Sequence, residues 1–257
     1  MKKLVIFVGI AVFCVAALAA QSYKDGFYFA QDVSWTNNQK NQVAIEVKGG
    51  KITSVNWNIL SLNAGAKDLK AIAQAPDAPA GAKTWAGQAA AIEAHLISSQ
   101  STKSVSVAGG PSNPKPFFDL ADKAVKGKAI TKGASSKDGW FYAEASEADE
   151  YHTRNTVLLT VVNGTIVDVL WNGILVGMPA SVNPSKMITS RAKGYPMTGA
   201  KRTWDDQAER AVAELIKVQT PGSFKVKPDG HIDGISGVTM QVGHFVTLAN
   251  QALALAR

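Results

Sequence analysis

The sequence predicts an α+β fold of two repeated domains, each an antiparallel sheet of hairpins packed with helices. Three observations predict it: an internal repeat, apolar residues that alternate on either side of tight turns, and helical segments that follow the hairpins. Strands joined by short turns pair antiparallel, whereas parallel strands need long crossover connections. Because strands and helices are segregated along each repeat, the pattern indicates an α+β and not an α/β arrangement.

The second half of the chain repeats the first half in the same order. Four segments recur: KDGFYFA (24–30) as KDGWFYA (137–143), NQVAIEVKGGKITSVNWN (41–58) as NTVLLTVVNGTIVDVLWN (155–172), AKTWAGQAA (82–90) around 201–211, and FFDLADKAV (117–125) as FVTLANQAL (245–253). Ordered matches of this length indicate two homologous domains. We expect a leader over residues 1–19, a first domain over 20–132 and a second domain over 133–257.

Each repeat is predicted to begin with three strands. In the second repeat, a short aromatic strand at 140–143 precedes a segment in which apolar and polar residues alternate, which is the period of a half-buried strand. Asn163-Gly164 is a favourable two-residue hairpin turn, and the return strand spans 165–171. The first repeat has the same pattern, with Gly49-Gly50 at the turn.

Two helices are predicted to follow the hairpin of the second repeat. Thr203 suits the N-cap of the first helix, and Asp206 would complete a capping box. The last helix is predicted from about Met240 to Leu255, with its apolar residues on one face.

The first twenty residues have the layout of a secretory signal peptide. Two lysines precede an apolar run from Leu4 to Ala20, and small side chains suit cleavage after Ala19. We expect export to the periplasm, the cell surface or the extracellular space. An uncleaved N-terminus would instead anchor the protein in the membrane, and lipidation of Cys14 is a third, weaker alternative.

The composition excludes several classes of protein. One cysteine in 257 residues excludes a disulfide framework, a cysteine-ligated zinc site and an iron–sulfur cluster held by cysteines. The four histidines show no metal-ligand spacing, so no metal site and no catalytic residue is predicted. The net charge of +7 is dispersed and the basic residues do not interleave with aromatic ones, so nucleic acid is not an expected partner.

The two repeats differ most in the loop that precedes the last helix. The second repeat has DGISGVT (233–239) where the first has VSVAGGP (105–111). In this alignment only Gly237 keeps its residue type, and Thr239 faces Pro111. The polar side chains therefore gather in the second repeat alone.

DGISGVT before a C-terminal helix resembles the D-x-x-S/T-G-A-T motif of the FMN-binding domain family. That family consists of exported or periplasm-facing electron-transfer modules, on which a flavin transferase attaches FMN to the last threonine of the motif through a phosphoester. The resemblance covers residues 24–253 in outline and is specific only in the motif. It implies that Thr239 carries FMN, that an FMN transferase matures the protein, and that the first repeat, with Pro111, carries no covalent flavin.

The motif also has a physical rationale. Backbone N–H groups at the start of a helix lack intrahelical partners, and the helix dipole favours a phosphate there. Gly237 lets the backbone approach a phosphate closely, and Ser236 can add a hydrogen bond. Asp233 suits a loop-holding role, or it could orient a metal in the transferase complex. Gly234 and Val238 complete the predicted site, and Val238 stands where the family usually has alanine.

Two further residues are predicted to contact the flavin. The segment 178–201 is longer than its counterpart in the first repeat and contains Tyr195 and Met197, which suit an isoalloxazine ring. A solvated loop is the alternative. Trp57 in the first repeat and Trp171 in the second occupy matching positions. Because both repeats have this tryptophan, we expect it to pack in the core of each domain.

The resemblance thus implies an exported flavoprotein that carries FMN covalently on Thr239. It would transfer electrons between redox partner proteins or small electron acceptors. Because a flavin supplies the chemistry itself, such a protein needs no catalytic acid or base and is an electron carrier more than a stand-alone enzyme. The alternative is a non-redox envelope or surface binding module with a vestigial flavin site, in which DGISGVT is only a turn and a helix cap.

Overall fold

A computed structural model describes most of the chain, namely residues 22–63, 68–74, 80–179, 184–195, 197 and 199–257. The predicted leader at 1–19 lies outside the described residues and stays a prediction. Within the described ranges, no helix is both long and apolar enough to cross a membrane.

The described residues form two antiparallel three-stranded sheets, and this confirms the predicted α+β fold. The first sheet has the order β1 (Gly26–Gln31), β2 (Gln39–Lys48), β3 (Lys51–Ser61), and the second has the order β4 (Gly139–Glu144), β5 (Thr153–Val162), β6 (Thr165–Leu175). Helices follow each sheet: α1 (Leu69–Gln74), α2 (Ala80–Ser99) and α3 (Lys115–Val125) in the first repeat, then α4 (Lys186–Arg191), α5 (Trp204–Val218) and α6 (Gly243–Leu255) in the second.

The two sheets share their register and their turn geometry. A β-bulge falls at 46–47 in the first sheet and at the matching position, 160–161, in the second. Asn163 and Gly164 both have positive φ, as a type I′ hairpin turn requires, and their N–H groups donate to the Asp138 carboxylate at 2.7 and 2.8 Å. Asp25 binds the Gly49-Gly50 turn in the same way.

A glutamine in each repeat fastens the end of a helix to the sheet. Gln219, which follows α5 with a φ of 63°, accepts the N–H of Ile166 at 2.8 Å and donates to the carbonyl oxygen of the same residue at 2.9 Å. Gln100 makes the equivalent two bonds to Ile52 after α2, at 2.8 and 2.9 Å. The side chain thus pairs with the strand as another strand would.

Each repeat has its own apolar core. In the first, α2 and α3 bury Ile92 and Phe117 against the sheet, and in the second, α5 and α6 bury Leu215 and Phe245. The end of β3 crosses this division, because Leu60 packs in the core of the second repeat.

A fully buried glutamine joins the two sheets. The Gln42 amide nitrogen donates to Asp168 at 2.6 Å and to Gln31 at 2.9 Å, and its oxygen accepts from Trp140 at 2.6 Å and Thr160 at 3.0 Å. Three of these partners, Asp168, Trp140 and Thr160, lie in the second repeat, so their bonds to one amide link the two repeats in a defined orientation.

The start of the last helix differs from the prediction. α6 begins at Gly243 and not near Met240, because the N–H groups of Val242 and Gly243 donate to the Gly230 carbonyl oxygen at 2.7 and 3.2 Å. This pairing holds the preceding residues in a loop. Sequence periodicity does not detect such a contact.

The predicted capping box of α5 is also wrong. Thr203 does occupy the N-cap position, but its side chain makes no capping bond, and Asp206 pairs with Arg202 at 2.7 Å. Ser190 of α4 instead accepts the Asp205 N–H at 3.0 Å. A neighbouring helix therefore supplies the cap.

We expect Gln219→Asn to destabilise the second repeat. Asparagine tolerates a positive φ, but its side chain is one methylene shorter and does not reach β6. Loss of the two bonds to Ile166 should lower the free energy of unfolding by about 1–3 kcal/mol. Urea unfolding measures it, and Gln100→Asn is the matched variant in the first repeat. Unchanged stability in both variants would contradict the structural role of the glutamines.

Candidate functional site

A cavity of about 570 Å³ opens in the second repeat. Small-molecule sites commonly have volumes of about 300–1,000 Å³. The cavity is bounded by the turn before β5, by β6, by α4 and α5, and by the loop that leads to α6. Its lining combines aromatic rings, one lysine, two histidines and the Thr239 hydroxyl.

One wall of the cavity is a chain of hydrogen bonds. The indole N–H of Trp171 donates to the Asn155 side chain at 3.3 Å, and the Asn155 amide donates to Asp149 at 2.7 Å. The other Asp149 oxygen accepts the backbone N–H groups of Tyr151 and Thr153, both at 2.9 Å. Both oxygens of Asp149 therefore accept hydrogen bonds within the cavity wall.

The first repeat contains the same chain of bonds. Trp57 donates to Asn41 at 3.1 Å, and Asn41 donates to Asp32 at 2.7 Å. Since the first repeat has no Thr239 equivalent, this wall is a property of the shared fold and not of a site specific to the second repeat.

The tryptophan of this wall lies mainly in the core. Trp171 stacks on Phe245 with ring centroids 4.7 Å apart and an interplanar angle of 21°, and it meets Trp204 edge-on at 5.2 Å. Both tryptophans also line the cavity, so the core supplies its aromatic surface.

Lys186 is a buried cation in the cavity wall. Only 4% of the residue is exposed, and its ammonium lies 4.6 Å from the centroid of the Tyr195 ring and 4.8 Å from that of Trp204. Among the described residues, it has neither a salt bridge nor a hydrogen-bond acceptor. Burial lowers the pKa of Lys186 to about 8, although the negative charge of Asp149 opposes the shift.

The loop that carries Thr239 is held by a buried glutamine of α5. The side-chain oxygen of Gln207 accepts the backbone N–H groups of Thr239 and Met240 at 2.7 and 3.0 Å, and the Thr239 hydroxyl at 3.3 Å. Thr239 itself is exposed at the edge of the cavity. Gln207 thus orients the Thr239 hydroxyl, and the residue as a whole remains exposed.

Thr239 does not lie at the start of the last helix, so the free N–H groups of that helix end are not adjacent to it as we predicted. Thr239 lies four residues before the start of α6 at Gly243, and Gln207 already binds the N–H groups of Thr239 and Met240. The helix end and the hydroxyl are therefore separated by a short loop.

Three of the eight predicted site residues line the cavity together, namely Thr239, Tyr195 and Met197. The other five form the loop that leads to Thr239 and are not among the lining residues. Asp233 and Ser236 are exposed, and Asp233 pairs with Lys227 at 2.7 Å.

The remaining motif residues shape the backbone of this loop. Gly234 and Gly237 have positive φ values of 97° and 79°. A Cβ on Gly237 would lie 2.7 Å from the Arg202 side chain, so a larger residue would require a shift there. Val238 is buried in the core of the second repeat, which explains an apolar residue next to Thr239.

Sequence reasoning missed several cavity residues. Gln207 was visible only as a residue that both repeats share, in alignment with Gln88, and nothing in the sequence connects it with a loop 32 positions away. His231 and His244 line the cavity on either side of the motif. The sequence signal that could have found them is that both histidines lie within a few residues of DGISGVT. Across the described ranges, no group of three metal-ligating side chains is placed to hold a metal ion.

Comparison with known proteins gives two similar solved structures. No protein-family model and no curated protein matches the chain. A solution NMR structure of a protein from Clostridium thermocellum is 42% identical, covers 47% of this chain and 92% of its own, and has a TM-score of 0.37. A crystal structure of a protein from Clostridium perfringens is 24% identical, covers 47% and 88%, and has a TM-score of 0.35. Both were structural genomics targets.

We expect Gln207→Ala to release the loop. Without the Gln207 oxygen, the N–H groups of Thr239 and Met240 lose their acceptor, and the free energy of unfolding should fall by about 1–3 kcal/mol. Hydrogen exchange at these two amides should accelerate relative to the rest of the second repeat. Gln88→Ala is the control, because it should leave both rates unchanged. Equal rates in Gln207→Ala and the wild type would contradict the proposed contact.

We expect Lys186→Met to stabilise the protein without ligand, in a pH-dependent way. Lys186 is charged in the folded and the unfolded state below about pH 8, and a pKa lowered from 10.5 to about 8 corresponds to a cost of about 3 kcal/mol. The cost shrinks as pH rises above about 8 and disappears only above pH 10.5, where the lysine is neutral in both states. Urea unfolding should therefore show a gain at pH 7 that shrinks above pH 8.

The control for this experiment is Lys201→Met, since Lys201 is exposed and should show no gain at either pH. A stability difference between Lys186→Met and the wild type that did not vary with pH would contradict the buried, charged state of Lys186.

Proposed function

We propose that this protein is an exported flavoprotein that carries FMN on Thr239 and transfers electrons between redox partners. One observation carries the proposal: Thr239, the exposed threonine of the motif, borders an aromatic cavity of about 570 Å³. A hydroxyl that could be esterified therefore lies next to a cavity that is large enough for a ligand.

The residues of the cavity fit a flavin. Trp171, Trp204 and Tyr195 offer flat apolar surfaces, Met197 adds an adaptable side chain, and Lys186 supplies positive charge. FMN, when bound, supplies a ring that accepts and releases electrons. The protein then has to bind and orient that ring, and to keep it near the surface where a redox partner can approach.

The attachment is a group transfer to the threonine oxygen. Thr239 Oγ1 would form a bond to the flavin phosphorus and lose its hydroxyl proton. The donor would be a flavin phosphoanhydride held by an FMN transferase: its anhydride P–O bond breaks, and the other phosphate of the anhydride leaves with the group that it carries. Exposure of Thr239 and of the preceding Ser236 leaves the loop accessible to that enzyme.

The first repeat supports this assignment by contrast. It keeps the Trp57–Asn41–Asp32 wall, but it has Pro111 where the second repeat has Thr239. Proline has no hydroxyl to esterify. The first repeat would then orient the flavin-bearing repeat or bind a partner.

A non-redox surface binding module is the second candidate. A groove of about 660 Å³ between the repeats is bordered by Trp35 and by Val33, which is 92% exposed. An exposed apolar residue beside an aromatic ring suits a partner protein or an envelope component. In this case the cavity next to Thr239 would be vestigial.

Co-expression with an FMN transferase tests the proposal. The wild-type protein should gain the mass of one FMN minus one water, and Thr239→Ala should stay unmodified because it has no acceptor oxygen. Intact-mass spectrometry measures both.

Ser236→Ala is the matched control, since Ser236 offers a second exposed hydroxyl in the same loop and should not be the acceptor. Wild-type protein that stays unmodified beside a flavinylated reference substrate, or Thr239→Ala that is still modified, would overturn the assignment. A protein with neither covalent nor bound flavin would favour the binding module.

A further inference from the structure

Among the described residues, Lys186 is a buried cation that has no salt-bridge partner. Its side chain lies between the Tyr195 and Trp204 rings in the cavity wall. Cation–π contacts of this kind contribute about 0.5–2 kcal/mol, which offsets only part of the cost of removing an ammonium from water. Such a residue is expected where a ligand brings the missing negative charge.

The neighbouring groups supply that charge only in part. The negative charge of Asp149 acts on Lys186, but the two make no salt bridge, and both Asp149 oxygens already accept N–H groups of Tyr151, Thr153 and Asn155. Burial raises the pKa of Tyr195, so its phenol stays neutral. The two histidines of the lining are neutral or positive in any protonation state.

The first repeat shows that the fold does not need this lysine. α1 and α4 occupy equivalent places, because each begins one residue after a bridge to the end of the third strand, Asp68 to Leu60 and Ser185 to Ile174. The residue that matches Lys186 is therefore Leu69. The lysine and the threonine that distinguish the second repeat border the same cavity.

We propose that Lys186 is a redox-tuning residue whose ammonium binds the negative charge that the flavin ring gains on reduction. This inference rests on the proposed function. Two electrons from a partner protein and one proton from solvent leave the neutral ring with a single negative charge, and no bond to the protein forms or breaks. A cation beside the ring stabilises the reduced form over the oxidised form and so raises the reduction potential.

Redox titration of the flavinylated protein tests the inference. Lys186→Leu copies the first repeat, and Lys186→Gln keeps a polar side chain. Both should shift the equilibrium towards the oxidised flavin at least tenfold, which for a two-electron couple lowers the midpoint potential by about 30 mV or more. Lys201→Gln removes an exposed charge from the same region and should leave the potential unchanged.

Titration of lysine side chains by NMR gives a second readout that does not depend on the potential. Lys186 should titrate near pH 8 in the protein without flavin and at a higher pH once the flavin is reduced. An unchanged potential in both Lys186 variants, or a Lys186 pKa that does not respond to the reduced flavin, would overturn the inference while flavinylation of Thr239 still stood.

Failure of the proposed function is a separate outcome. If the chain stays unmodified, the protein without flavin is titrated with free FMN reduced by dithionite. Binding that raises the Lys186 pKa and weakens at least tenfold in Lys186→Leu supports the role of Lys186. Absence of binding, or equal binding by wild type and variant, overturns it.

Discussion

The hydrogen bonds that Gln207 accepts from Thr239 and Met240 hold in place the loop on which the rest of the candidate site depends. A loop of glycines and small polar residues has many accessible conformations, and ordering it costs conformational entropy. The buried side-chain oxygen of Gln207 on α5 offsets part of this entropy cost, because it accepts hydrogen bonds from two consecutive N–H groups of the loop. As a result, the Thr239 hydroxyl lies at the edge of the cavity with its direction fixed, although the residue remains exposed.

Comparison of the two repeats distinguishes residues that the shared fold requires from residues that are specific to the second repeat. Features that both repeats share, such as the tryptophan–asparagine–aspartate wall and the glutamine that pairs with the third strand, belong to the fold. Features of the second repeat alone are candidates for function. Thr239 in place of Pro111 and Lys186 in place of Leu69 both change an apolar residue into a reactive or charged one, and both border the same cavity. A buried charge that costs stability and is not needed by the sister domain suggests a role in ligand chemistry.

Much of the fold could be predicted because its signals are local. Alternation of apolar residues and the Asn163-Gly164 turn indicate the hairpins, and the repeat indicates their duplication. The start of α6 and the cap of α5 were predicted wrongly, since Gly230 and Ser190 act from other segments. For the site, the motif and the long loop pointed to Thr239, Tyr195 and Met197. Gln207 and the burial of Lys186 could not be predicted, because both depend on how separate helices pack.

The measurement that tests the central claim most directly is the visible absorption of protein purified from its native source, before and after precipitation in acid. A flavin esterified to Thr239 should remain in the washed pellet, because denaturation does not break a phosphoester. A colourless native protein, or a flavin found entirely in the supernatant, would contradict the covalent attachment on which the account rests.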